Sequence, residues 1–86
     1  MTDHLTVREI RSYRLQPLDP LSPVEIKQIR ESLRVSQAVF AQLINTSVST
    51  VQKWEIGQKR PAGTALKLLH LIQRRGLAAV AEMPFS

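Results

Sequence analysis

From Pro23 onward the apolar residues of this chain recur at steps of three and four. Ile26, Ile29 and Leu33 form one such row. Val39, Phe40, Leu43 and Ile44 form the apolar side of a second, and Val51 and Trp54 mark a third. Ala65, Leu66, Leu68, Leu69 and Ile72 form the inward side of a fourth. This is the period of amphipathic helices. Start and stop signals bracket each row. "SPVE" offers Ser22 as an N-cap, Pro23 at the first helical position and Glu25 to close a capping box. Ser36 caps the second helix and Ser47 the third, with "NTS" (Asn45–Ser47) as a short turn between them. Gly57 is placed to stop the third helix in a left-handed conformation. Gly76 ends the fourth, with Arg74 and Arg75 near its negative end. "LAAVAEM" reads as a fifth, short helix, in which Leu77, Val80 and Met83 either pack on the body or form a dimer seam. The fold expected is all-α with five helices.

The pattern before Pro23 is different. "QPLDPLSP" places three prolines in eight residues, and each removes a backbone donor and biases its predecessor away from helix. This sets a boundary between an arm, residues 1–21, and a folded body, residues 22–83. Within the arm, Leu5, Val7, Tyr13 and Leu15 alternate as in a strand, while Val7, Ile10 and Tyr13 step by three. The arm is therefore expected to be extended or disordered unless a partner completes it.

Composition narrows the class. At 86 residues the chain has room for one modest core. With no cysteine it has neither disulfides nor a cysteine-based zinc site, and the cytosol is its natural setting. No apolar run approaches the ~20 residues of a membrane span, and the N-terminus lacks a signal-peptide pattern. The net charge is +5. Three bases and three acids cancel within residues 1–21, so the whole excess lies on the body, where it suits an anionic partner.

The second and third helices are short, and about three residues part them. Such a pair is a helix-turn-helix, whose second helix enters the DNA major groove by its N-terminal part. Steps of ~100° place Val48, Ser49, Gln52 and Lys53 on one face, away from Val51 and Trp54. These types suit base reading: Lys53 for guanine, Gln52 for adenine, Ser49 as donor or acceptor, Val48 for a thymine methyl. Ser36, Gln37, Ser47, Thr50, Lys59 and Arg60 are the candidate contacts to the DNA backbone. Trp54 reads as core, supporting this helix from behind.

"SQAVFAQLINTSVSTVQKWEIGQKRP" resembles the helix-turn-helix of the phage-repressor-like, XRE-type family. The resemblance covers about residues 22–80. It is closest to the HigA-like antitoxin branch, where a "WE-x-G-x-(K/R)-(K/R)-P" tail leads into a leucine-rich helix like "ALKLLHLI". It implies a repressor-like DNA-binding domain in the bacterial cytoplasm, associated with the nucleoid and acting as a homodimer on a palindromic operator. It also implies a RelE/HigB-like ribonuclease toxin as partner. Val48, Ser49, Gln52 and Lys53 match the family's base-reading positions, and Gln37 matches a residue that touches a phosphate and braces the reading helix. Arg30 and Glu55 match a partly buried ion pair joining the first and third helices. Where the family often carries glycine in the turn, this chain has Asn45, which tolerates left-handed geometry. The toxin-binding segment varies between members, and the arm is the candidate here because nothing in the body needs it.

Other chemistry finds no support. His4 and His70 are isolated, and His70 is expected on the outer face of its helix. No metal-ligand spacing, glycine-rich phosphate loop or nucleophile constellation occurs, so neither a cofactor nor an enzymatic role is expected. Two alternatives stay open: a stand-alone repressor without a toxin, and a protein-interaction module that has lost DNA binding.

Overall fold

In a computed structural model, residues 18–81 are described. The expected arm conformation and the place of Met83 lie outside them. Among the described residues there is no strand. Four helices follow one another: α1 (Pro23–Ser32), α2 (Gln37–Ile44), α3 (Val48–Ile56) and α4 (Gly63–Arg75). Beyond Gly76 comes a single turn of helix, Ala78–Ala81. The expected fifth helix is therefore not supported as an element of the fold. Four residues close too few hydrogen bonds to offset nucleation, and Leu77 and Ala78 face solvent.

The helix starts follow local chemistry. Ser22 Oγ accepts the Glu25 N–H at 3.1 Å, and Glu25 Oε1 accepts the Ser22 N–H at 3.0 Å, completing the capping box. The Ser22 backbone N–H, with the Ser22 hydroxyl beside it, holds the Glu25 carboxyl below its usual pKa. Ser36 Oγ accepts the Val39 N–H at 3.2 Å, and Ser47 Oγ accepts the Thr50 N–H at 3.1 Å. Leu21 and Ile26 occupy the two positions of a hydrophobic staple around the Ser22 cap, and both are buried in the core.

The helix ends share one device. Asn45 sits at φ 60° and Gly57 at φ 82°. After Asn45, the Thr46 N–H reaches back to the Ala41 carbonyl at 2.8 Å. After Gly57, the Gln58 N–H reaches the Lys53 carbonyl at 2.9 Å. These are Schellman closures, and they occupy carbonyls that the helix leaves unpaired. The end of α1 uses the same left-handed turn without glycine or asparagine: Arg34 sits at φ 58°.

The core lies where the four helices meet. Phe40, Val51 and Leu69 have no exposed surface, and Ile26, Ile29, Ala41, Ile44, Trp54 and Ile72 are buried with them. α3 packs on both α1 and α2, and α4 closes the bundle against α1 and α2. Val39 departs from the inward row expected for it and is 43% exposed. Phe40, Ala41 and Ile44 take the inward stripe of α2, and ~100° steps turn Val39 away from it. His70 is likewise not an isolated surface residue. It is half-buried, and its Nε2 lies 2.8 Å from the Asp19 carbonyl oxygen, tying α4 to the chain before α1.

Candidate nucleic-acid interface

α3 presents two opposite surfaces. Val51 and Trp54 are buried beneath it, while Val48, Ser49, Gln52 and Lys53 are exposed on its outer side. The apolar back fixes the helix to the bundle. Among the described residues the outer row packs against no other helix.

The polar set expected along the DNA backbone divides by position. Ser36 and Ser47 stand exposed at the starts of α2 and α3, each accepting one backbone N–H from its own helix. Thr50 Oγ1 lies 2.8 Å from Ser47 Oγ. One hydroxyl proton is used within that pair and the other is available to an outside acceptor. Lys59 and Arg60 are exposed in the loop after α3. Arg60 also lines an open pocket of about 260 Å³ with Pro20, Leu21, Ser22, Pro23 and Glu25, which places this residue beside the start of α1.

Gln37 is turned inward. Its Nε2 donates to Glu55 Oε1 at 3.2 Å. Glu55 also receives Arg30 Nε at 2.7 Å on Oε2 and Arg30 Nη2 at 3.0 Å on Oε1. Arg30 Nη1 donates to the Val35 carbonyl at 3.0 Å. One guanidinium thus joins α1, the α1–α2 loop and α3, and Gln37 adds the start of α2. The two charged side chains are 14% and 5% exposed. Desolvation acts to raise the Glu55 pKa. The bonds from Arg30 and Gln37 and the charges of Arg30 and Lys27 outweigh it and hold the carboxyl below its ordinary 4.5. The same bond to Glu55 pushes the Arg30 guanidinium further up.

Electrostatics favour an anion at this surface. From Ser32 to Trp54 the chain holds no acidic residue, so neither α2 nor α3 carries a carboxylate of its own in its first turn to oppose an anion at its N–H groups. The next carboxylate, Glu55, is neutralised within the clamp.

Several contributors escaped the sequence reading. The Val35 carbonyl as a third partner for Arg30 has no sequence signal. Nor does the left-handed Arg34, since neither glycine nor asparagine marks it. Leu21 could have been found, because an apolar residue just before a serine cap is the first half of a staple. Among the described residues no three acidic or histidine side chains cluster as metal ligands. Among them too, no helix is long and apolar enough to cross a membrane.

Comparison with known proteins adds to this geometry. The sequence pattern of the Helix-turn-helix family matches residues 26–71, which span α2, α3 and most of α1 and α4. Antitoxin HigA-2 of Vibrio cholerae serotype O1 is 45% identical over 64 residues, 72% of this chain and 62% of that protein. The uncharacterized HTH-type transcriptional regulator YiaG of Escherichia coli K12 is 36% identical over 52 residues, 60% of this chain and 54% of that protein. The chain thus spans less than two thirds of the length of either relative.

Proposed function

Because the chain belongs to the XRE-type, HigA-like helix-turn-helix family, we propose that it is a sequence-specific DNA-binding repressor serving as an antitoxin. It binds a palindromic operator as a homodimer, represses its own operon and neutralises a RelE/HigB-like ribonuclease. The observation that carries DNA reading is the outer row of α3. Ser49, Gln52 and Lys53 are exposed there, beside an acid-free stretch and on the side away from a buried tryptophan. Lys53 donates to guanine N7 and O6, Gln52 pairs with adenine, Ser49 takes either role, and Val48 meets a thymine methyl. Ser36, Gln37, Ser47, Thr50, Lys59 and Arg60 hold the phosphates. For Gln37 this requires contact alongside its bond to Glu55. The antitoxin role draws on the likeness to HigA-2.

Lys53→Ala is expected to weaken operator binding by about 1–3 kcal/mol and to relax selectivity at one base pair. Titration of wild type and variant against a panel of single-base operator changes measures both. Undiminished affinity and selectivity in the variant remove Lys53 from the reading set. The likeness to YiaG, whose name speaks only of transcriptional regulation, favours a second reading as a stand-alone repressor. Co-expression with the product of the neighbouring gene separates the two: an antitoxin co-purifies with a small ribonuclease, and a stand-alone repressor does not.

A further inference from the structure

Ile56 is the last residue of α3, and at 67% exposure it is the most open of the large apolar side chains described. Its direction makes it unusual. At ~100° per residue, Ile56 points about 200° away from Trp54. Gln52 falls at about 160°, Ser49 at about 220° and Lys53 at about 260° on the same wheel. Ile56 therefore stands in the middle of the reading row rather than at its margin. Gly57 comes next at φ 82° and turns the chain back under a Schellman closure.

A large aliphatic side chain held in water has nothing to gain where it is. Residues on either side along the row are polar hydrogen-bonding types, so the surface as a whole is not an apolar docking patch. The major groove offers one apolar feature to such a row, the 5-methyl group of thymine. α3 is nine residues long, about 13 Å at ~1.5 Å per residue. A groove ~12 Å wide admits one helix side-on, and a helix this short carries its last turn only ~12 Å beyond the N-terminal part that enters first.

We infer that Ile56 is a specificity-determining residue that reads a thymine methyl in the operator. This rests on the DNA-reading function proposed above. Val48 stands eight positions earlier on the same helix and is 42% exposed, so the two aliphatic groups are separated by ~12 Å along the axis. They bracket the polar centre formed by Ser49, Gln52 and Lys53. At ~3.4 Å per base pair, the two methyls they meet lie no more than three to four base pairs apart. The half-site recognised by one protomer is thus expected to carry thymine, on either strand, at both edges of a short core of guanine and adenine contacts.

The test uses the full chain and duplex oligonucleotides selected by it from a random pool at low salt. Each thymine of the selected half-site is replaced in turn by uracil, which keeps the pairing edge and lacks only the methyl. Uracil is expected to weaken wild-type binding about fourfold, the free energy of one buried methyl, at the position facing Val48 and likewise at the position facing Ile56. Ile56→Ala is expected to bind the thymine duplex about fourfold or more weakly and to be indifferent to uracil at the position facing Ile56, while keeping its response elsewhere. Ile56 is exposed, so a thermal melt of the variant should match wild type. A uracil profile that is the same in Ile56→Ala and wild type overturns the inference and leaves Lys53 and Gln52 in place. Unchanged DNA binding with lost co-purification of a protein partner also overturns it, assigning Ile56 to that partner instead. Failure of wild type to enrich any sequence removes the DNA-reading function itself, and this inference with it.

Discussion

At the scale of single residues, Glu55 does the most to join the parts. It accepts three hydrogen bonds from two side chains that belong to different helices. Removing it leaves the Arg30 guanidinium, only 14% exposed, without its counter-charge. Glu55→Ala is therefore expected to cost about 3 kcal/mol at neutral pH, measured by denaturant titration. The pH dependence derives from the lowered folded pKa. The contribution of Glu55 is complete above its ordinary value of 4.5 and is lost as the pH falls through the lower folded value. The stability gap between wild type and Glu55→Ala should accordingly narrow in acid. A gap that stays constant down to strongly acidic pH shows that the carboxylate charge is not what holds the clamp. Reading the ion pair from sequence needed the resemblance to the family. Arg30 and Glu55 are 25 positions apart, and no local period links them.

At the scale of elements, the helices are set by their ends as much as by their faces. Three serines cap α1, α2 and α3, and a left-handed residue closes each of the three. Two of those left-handed positions carry the residues that tolerate them, Asn45 and Gly57. The third carries Arg34, whose Cβ crowds the following carbonyl at a cost of roughly 1–2 kcal/mol. Arg34→Gly is expected to raise stability by about 0.5–1 kcal/mol, after subtracting the larger chain entropy that glycine loses on folding. A thermal or denaturant melt decides it, and a destabilised variant shows that the arginine side chain makes a contact worth more than the strain. The serine caps, Asn45 and Gly57 were all visible in the sequence because each acts on a backbone group within a few residues. Arg34 was invisible because the left-handed turn there is imposed by the path from α1 to α2, and Arg30 fastens that path through the Val35 carbonyl.

At the scale of the whole molecule, charge and packing cooperate. The positive excess of the chain lies outside residues 1–21, the long stretch from Ser32 to Trp54 lacks acids, and Lys59 and Arg60 come just after α3. A basic surface of this kind contributes affinity through counterion release, with a salt slope of about −0.9 per phosphate neutralised. Lys59→Ala is therefore expected to weaken binding to all sequences alike and to reduce the salt slope by about one. Titrations across a salt series measure it, and an unaltered slope removes Lys59 from the phosphate contacts. The orientation of α3 is a property of the whole bundle as well. It rests on Val51 and Trp54 beneath it, on Glu55 at its flank and on α1 and α2 packed against it.

The sequence by itself determined the helical period, the capping serines, the left-handed stops at Asn45 and Gly57, and the division of α3 into an apolar back and a polar front. All of these depend on side chains and backbone groups close together in the chain, where geometry is set by ~3.6 residues per turn. Tertiary structure decided which borderline residues turn inward or outward. Val39 lost its place in the core because Phe40, Ala41 and Ile44 filled the inward stripe of a helix only eight residues long. Gln37 turned toward Glu55 across 18 positions, and His70 reached the Asp19 carbonyl across 51. The segment after Gly76 carried helical composition, and within the described residues it forms one turn, Ala78–Ala81, with Ala79 packed against the core. Period and capping are local and survive any packing. The partner of a polar group far along the chain is fixed only when helices meet, because burial without a hydrogen bond costs more than any local preference supplies.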